Sequence, residues 1–285
     1  MDATDPRRIA QIAEKARLMR KHAVEMSFLA GPNGAHLSPG LSMMEIMATL
    51  YFGVLRYDPR HPGWPERDRF ILSKGHGVLG FYTALAEAGY FPLEVLNTFE
   101  TDDCDLPGHP CMNLSMGIEA STGSLGHGLS LGVGLALAAR MDRRDSDTYV
   151  LVGDGECNEG MVWEAIMAAN QYRLDNLVAI VDCNRLQSDG FCEEIMRMDP
   201  LAEKWQSFGW RVREVDGHDI GQLLGALDRR SRPRTRPYVV IAHTVKGKGV
   251  SFIENNAAWH HNRLSHSDAE KALAELGFCA RKGEE

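Results

Sequence analysis

Apolar residues at Ile9, Ile12, Ala13, Ala16, Leu18, Met19, Ala23 and Met26 recur close to every 3.6 positions, which predicts an amphipathic helix over residues 6–30. A loop, G-P-N-G-A-H-L-S-P-G, separates it from a second, apolar helix over 41–52. The pattern then changes. Short apolar runs at 70–73, 149–155, 177–186, 210–217 and 238–249 read as strands that end in turns. Between them lie helical stretches: 78–88, M-V-W-E-A-I-M-A-A-N-Q-Y, and H-D-I-G-Q-L-L-G-A-L-D with Asp219 near its start. This strand–helix alternation predicts an α/β fold, one doubly wound and mostly parallel sheet with helices on both faces, forming a single domain over 1–285. The chain contains no internal repeat, low-complexity segment or interdomain linker.

Composition narrows the function classes. Hydrophobic content of 44% and charged content of 25% are ordinary for a globular protein, and 285 residues are enough for a sizeable core. The net charge of −8 argues against nucleic-acid or anionic-membrane partners, so any phosphate must be held by a local site. No apolar run approaches the roughly 20 residues of a membrane span. The opening M-D-A-T-D-P-R-R-I-A reads as neither signal nor transit peptide. Six cysteines without a C-x-x-C pair fit a reduced, cytoplasmic thiol inventory and do not point to zinc. The basic run R-R-S-R-P-R-T-R-P reads as a solvated loop ahead of a strand.

The candidate chemistry lies between residues 153 and 186. Y-V-L-V-G-D-G ends an apolar strand with Asp154 between two glycines, and L-V-A-I-V-D-C-N-R-L delivers Asn184 at the end of the next strand, 30 residues later. In a βαβ unit the two strands stop side by side, and open parallel sheets bind ligands at that edge. Gly-Asp-Gly alone is an ordinary turn. Paired with an amide carbonyl, it becomes hard-oxygen chemistry suited to magnesium and a phosphate, with Gly155 allowing close backbone approach. Histidines stand at three other turns: His36 before an apolar helix, His76 in S-K-G-H after the 70–73 strand, and His109 in L-P-G-H-P. Taken singly, each could simply cap a turn or be solvated. The T-G-S-L-G-H-G turn, weak evidence by itself, precedes a Gly/Ala-rich helix.

Together, GDGECNEGMVWEAIMAANQYRLDNLVAIVDCNRLQSDG, S-K-G-H, L-P-G-H-P and the W-H of the tail resemble the transketolase family. The resemblance implies thiamine diphosphate and Mg2+ as cofactors in the thiamine diphosphate-binding fold. It implies Asp154, Asn184 and the carbonyl of Leu186 as metal ligands. His76, Gly155, Glu159, Asn184 and His260 would hold the cofactor, with Gly123, Ser124 and Leu125 on its thiazole and pyrimidine side. Catalytic contact with substrate falls to His36, His109 and His260. Leu41 and Ser42 keep the spacing of the family's loop after its histidine. Glu159 and Glu164 match acidic positions that couple paired sites, although both would otherwise read as surface helix charge. Three positions depart from the pattern: Cys111 replaces an acid, His127 stands where glutamine is frequent, and His261 replaces glycine.

The resemblance covers the amino-terminal third to half of a full-length transketolase. The glutamate that activates the cofactor belongs to the second domain, and no motif supports Glu119 or Glu156 as its substitute. The expectation is therefore the N-terminal subunit of a split transketolase, transferring a two-carbon ketol unit from a ketose to an aldose, free or phosphorylated. A separately encoded C-terminal subunit would supply the activating glutamate in an α2β2 heterotetramer. Three alternatives stand beside this: a biosynthetic transketolase with an unusual acceptor, a subunit of another thiamine diphosphate enzyme (deoxyxylulose phosphate synthase or 2-oxo acid dehydrogenase), and a non-catalytic scaffold. Retention of Asp154 and Asn184 argues against the last.

Overall fold

The computed structural model describes residues 5–279 except 231 and 233. The first four residues of the opening segment, and Ser231 and Pro233 of the basic run, lie outside the described residues. Five parallel strands form one sheet in the order β1-β2-β3-β5-β4: β1 (Arg69–Leu72), β2 (Thr148–Gly153), β3 (Leu177–Cys183), β4 (Arg211–Asp216) and β5 (Tyr238–His243). The central strands are buried on both faces, which is why their sequences run apolar without a break. Successive side chains point to opposite faces, so Tyr149, Leu151, Val178 and Ile180 enter one core while Val150, Val152, Ala179 and Val181 enter the other. The first core is closed by helices Pro6–Leu29, Val78–Glu87 and Ile220–Leu227. The second is closed by His127–Met141, Gly160–Gln171 and Leu201–Ser207. The doubly wound α/β expectation holds.

Local chemistry sets the element ends. Asp5 caps the first helix by accepting from Arg7 N, and Asp219 caps Ile220–Leu227 by accepting from Gln222 N. β4 lies at the sheet edge with mostly exposed, charged residues, a composition that discourages pairing with another edge.

Three expectations need correction. The helix over 41–52 is broken into Leu37–Leu41, Met44–Thr49 and a wider turn, Leu50–Val54. The strand predicted over 177–186 stops at Cys183, because the Asn184 side chain takes the amide of Leu186 and Arg185 turns to a positive φ of 64°. The basic run is also not simply solvated. Arg232 is buried and ion-paired with Asp147, which Arg229 and Arg234 also reach, so the run neutralises a buried acid beneath the sheet.

Candidate active site

The carboxyl ends of β2 and β3 stop level, with Gly153 paired to Asp182 in register, and so Asp154 and Asn184 meet. Asp154 Oδ2 accepts the amide of Arg185 at 2.6 Å, and Oδ1 accepts the amide of Gly155 at 2.8 Å. Asn184 Oδ1 accepts Leu186 N at 3.1 Å. The Asp154 carboxylate and the Asn184 amide oxygen thus share one edge, and the backbone of Leu186 is tied to it through its amide. Burial, then the charge of Asp182, pushes the Asp154 carboxyl up to about 6. A cleft of about 380 Å³ opens here, lined by Asp154, Cys183, Asn184, Arg185 and Thr244 among others.

Beside this edge the structure gathers histidines from four separate turns. The His36 ring centroid lies 5.8 Å from His76, 5.4 Å from His109, 5.3 Å from His260 and 4.4 Å from His261. His76 and His260 are 5.2 Å apart. The convergence depends on a short antiparallel bridge, in which Ala35 N donates to Asn262 O at 3.0 Å and Asn262 N to Ala35 O at 3.2 Å. It also depends on Gly75, where any Cβ would stand 2.8 Å from Gly123 N; two turns approach there backbone to backbone. Burial, then His261, His109 and Lys246, holds His36 down to about 4. Burial, then Lys246 and His36, holds His260 down to about 3, and burial with Lys74 drives His76 well below the ordinary histidine range. These three rings are neutral near pH 7, so each offers one N–H donor and one acceptor nitrogen.

Lys246 carries no signal in the sequence reading, yet it joins the two halves of the site. Its Nζ donates to Leu186 O at 2.9 Å, Gln187 O at 2.9 Å and His260 Nδ1 at 2.8 Å. The last bond fixes the tautomer: Nδ1 accepts, so His260 carries its proton on Nε2 and presents a donor. Burial and then Lys74 lower the Lys246 ammonium to about 8. The preceding backbone is tied by Val245 N donating to His218 Nε2, while His218 Nδ1 meets Glu45, which also pairs with Arg20. A lysine in V-K-G-K-G could have been suspected only from its position just beyond a strand end.

The glycine-rich turn is held from below. Buried Glu156 accepts from Gly153 N at 2.9 Å, Gly126 N at 2.8 Å and Ser73 Oγ. Gly123 lies under the His109 ring, and Gly126, with φ 87°, lies under Glu159. Ser124 lines a separate open cleft with His127, Leu131 and Met161; Leu125 stands next to it in the turn. Glu159 and Glu164 are exposed. Glu119 is committed elsewhere, in ion pairs with Arg67 and Arg69. His261 stands where the family pattern expects glycine. It is the imidazole nearest to His36, at a position with ordinary negative φ that tolerates a side chain.

The residues fit a magnesium diphosphate. Asp154, Asn184 and Leu186 offer oxygens at the β2–β3 edge, where the Cys183 and Cys192 thiols also line the cleft, and among the described residues no group of three or more His, Cys, Asp or Glu side chains could hold a metal alone. Such a site needs further oxygens from phosphate and water, as magnesium prefers. Lys246, the His260 Nε2–H and His76 border the edge where those phosphates would lie. The Leu186 carbonyl has two lone pairs and can serve both Lys246 and a metal.

Residues 10–283 match the family model described as transketolase, thiamine diphosphate binding domain. The chain is 46% identical over 266 residues to one subunit of the apulose-4-phosphate transketolase of Actinobacillus succinogenes, covering 93% of this chain and 96% of the relative. It is 43% identical over 265 residues to the 6-deoxy-6-sulfo-D-fructose transketolase subunit SqwG of Clostridium sp. (strain MSTE9), again covering 93% and 96%. A crystal structure of transketolase (mutant R525L) from Pichia stipitis superposes with a TM-score of 0.86 at 30% identity, covering 94% of this chain but 41% of that one. The chain thus spans about two fifths of the transketolases of known structure that it matches.

Proposed function

The chain belongs to the transketolase family, matching its thiamine diphosphate-binding domain, and on that premise we propose that it is the N-terminal subunit of a split transketolase. The reaction is transfer of a two-carbon ketol unit from a ketose to an aldose. The observation that carries this reading is the meeting of Asp154, Asn184 and Leu186 with the histidine row, in a chain that spans nearly the whole of two relatives named as subunits.

Asp154, Asn184 and the Leu186 carbonyl hold Mg2+, while Gly155, His76, Lys246 and His260 hold the diphosphate. Gly123 faces the rest of the cofactor from beneath His109, and Ser124 and Leu125 extend this surface along the same turn toward the second cleft. When bound, thiamine diphosphate supplies carbanion stabilisation next to the carbon–carbon bond that breaks. His36, His109 and His260 orient the sugar hydroxyls, and His36 and His109 move protons between hydroxyl and carbonyl oxygens. His36, held neutral, can donate at one nitrogen and accept at the other, whereas His260, with Nδ1 taken by Lys246, donates from Nε2. His36 and His76 are half-buried, which limits the competition of bulk water for those bonds. A separately encoded C-terminal subunit supplies the activating glutamate, and two copies of each chain form an α2β2 heterotetramer in the cytoplasm. Glu159 and Glu164, exposed beside the glycine turn, face the paired subunits and couple the two sites.

A second reading concerns the sugar. The two relatives above are named for apulose 4-phosphate and 6-deoxy-6-sulfo-D-fructose, and this chain departs from the family pattern at Cys111, two residues after His109, and at His261, which lies against His36. We therefore propose a specialised ketose donor or aldose acceptor. The test mixes the chain with its neighbouring-gene partner, Mg2+ and thiamine diphosphate. It then compares xylulose 5-phosphate, apulose 4-phosphate and 6-deoxy-6-sulfofructose as donors, with ribose 5-phosphate or glyceraldehyde 3-phosphate as acceptor. Transfer only in the mixture supports the split enzyme, and transfer by the chain alone refutes it. A preference for xylulose 5-phosphate refutes the specialised reading.

A further inference from the structure

β3 holds one charged residue, Asp182, in a strand that is otherwise apolar and buried throughout. Its partner is Lys74, also buried, and stability does not account for the pair, because a buried ion pair rarely outperforms apolar residues of the same volume. The remaining contacts explain it better. Asp182 Oδ2 accepts from Ser42 Oγ at 2.6 Å, from Lys74 Nζ, and from the side-chain Nδ2 of Asn184 at 3.3 Å. Its Oδ1 accepts from Thr244 Oγ1. Its backbone carbonyl accepts Asp154 N at 3.2 Å. Lys74 is itself braced by Pro39 O at 3.0 Å. Donors from the ends of β1, β3 and β5 and from Ser42, at the end of the helix Leu37–Leu41, thus converge on one carboxylate directly beneath the metal edge.

The shape of an asparagine amide is nearly symmetric, and only its partners decide which end faces which way. Flipping Asn184 would set its Oδ1 against the Asp182 carboxylate, acceptor against acceptor. With Nδ2 committed to Asp182, Oδ1 must face the edge it shares with Asp154. We propose that Asp182 is a positioning residue, whose carboxylate, anchored by Lys74, Ser42 and Thr244, locks the amide of Asn184 with its oxygen toward the bound cation. This rests on the metal assignment made above.

The test measures Mn2+ affinity by electron paramagnetic resonance, on the full chain in complex with its partner, at saturating thiamine diphosphate. The variant is Asp182→Leu combined with Lys74→Met, which removes both charges and the acceptor facing the Asn184 amide and leaves no stranded ammonium. Loss of a residue that orients a ligand weakens metal binding about 10- to 100-fold, and that loss is expected here with the native circular dichroism spectrum retained. A purely structural ion pair would lower the melting temperature and leave affinity unchanged; affinity within about twofold of native, in a folded variant, overturns the proposal. Asp154→Ala is the reference: if it also leaves Mn2+ binding intact, the metal assignment itself fails and takes this inference with it. A second measurement needs no variant. In the native chain one Asn184 side-chain amide proton should exchange slowly with solvent, and exchange at the free-amide rate overturns the proposal.

Discussion

Glu156→Gln separates a structural glutamate from a catalytic one. The carboxylate is 3% exposed and receives three donors, Gly153 N, Gly126 N and Ser73 Oγ. Glutamine keeps the shape but offers one acceptor oxygen. With that oxygen kept for Gly126 and Ser73, the amide group faces Gly153 N–H, donor against donor. The lost bond costs about 1–3 kcal/mol, and the two survivors fall from charged to neutral strength, about 1 kcal/mol each. Burial already raises the Glu156 pKa, so relief from desolvating a charge offsets part of this and leaves roughly 2 kcal/mol of destabilisation. For a chain of this size that lowers the melting temperature by about 4 °C. Urea and thermal unfolding, followed by tryptophan fluorescence, measure it directly. Transfer by the reconstituted complex should persist, with a few-fold weaker cofactor affinity that is overcome at higher concentration, because the Gly126 turn is loosened. If transfer is abolished while the unfolding midpoint stays unchanged, Glu156 is acting on the cofactor and the latch reasoning is wrong.

Asp154→Ala is expected to abolish Mg2+-dependent transfer without unfolding the chain; full activity in the variant would sink the metal assignment. Lys246→Met removes one cation bonded to three acceptors at 2.8–2.9 Å, and charged hydrogen bonds of about 1.5–3 kcal/mol translate to roughly 10- to 100-fold weaker thiamine diphosphate binding by calorimetry. Unchanged affinity there would remove Lys246 from the diphosphate site. In the native protein, the His36 and His260 ring protons should show no titration between pH 8 and 5, since their values lie at about 4 and 3. Both lie below the 6.5 of an unfolded histidine, so the unfolded chain binds more protons in that window. Their contribution to stability is therefore complete above pH 6.5 and declines as pH falls toward 4. Asp154, raised to about 6 from 3.8, opposes this by favouring the folded state as pH drops through its own window. A midpoint near 6.5 for either ring in an NMR titration would contradict the neutral assignment.

Much of this protein is decided by local sequence. Unbroken apolar runs such as L-V-A-I-V can be satisfied only by burial on both faces, and their alternation with helices leaves a doubly wound parallel sheet as the outcome. The edge where Asp154 and Asn184 meet follows from the same logic, because adjacent parallel strands of one βαβ unit end together. Other features depend on contacts between residues far apart in the chain. Where β3 stops was settled by the Asn184 side chain competing for a backbone amide, a choice that an apolar pattern does not encode. Arg232 is buried because Asp147 waits beneath the sheet, although its own neighbours read as a solvated basic loop. Lys246 and His261 gain their places from the Lys246–His260 bond and from the Ala35–Asn262 bridge, which closes two distant parts of the chain over one site. Periodicity reports how each residue relates to its own element. Which side chains converge, and which of them lose their water, is fixed only when the elements pack.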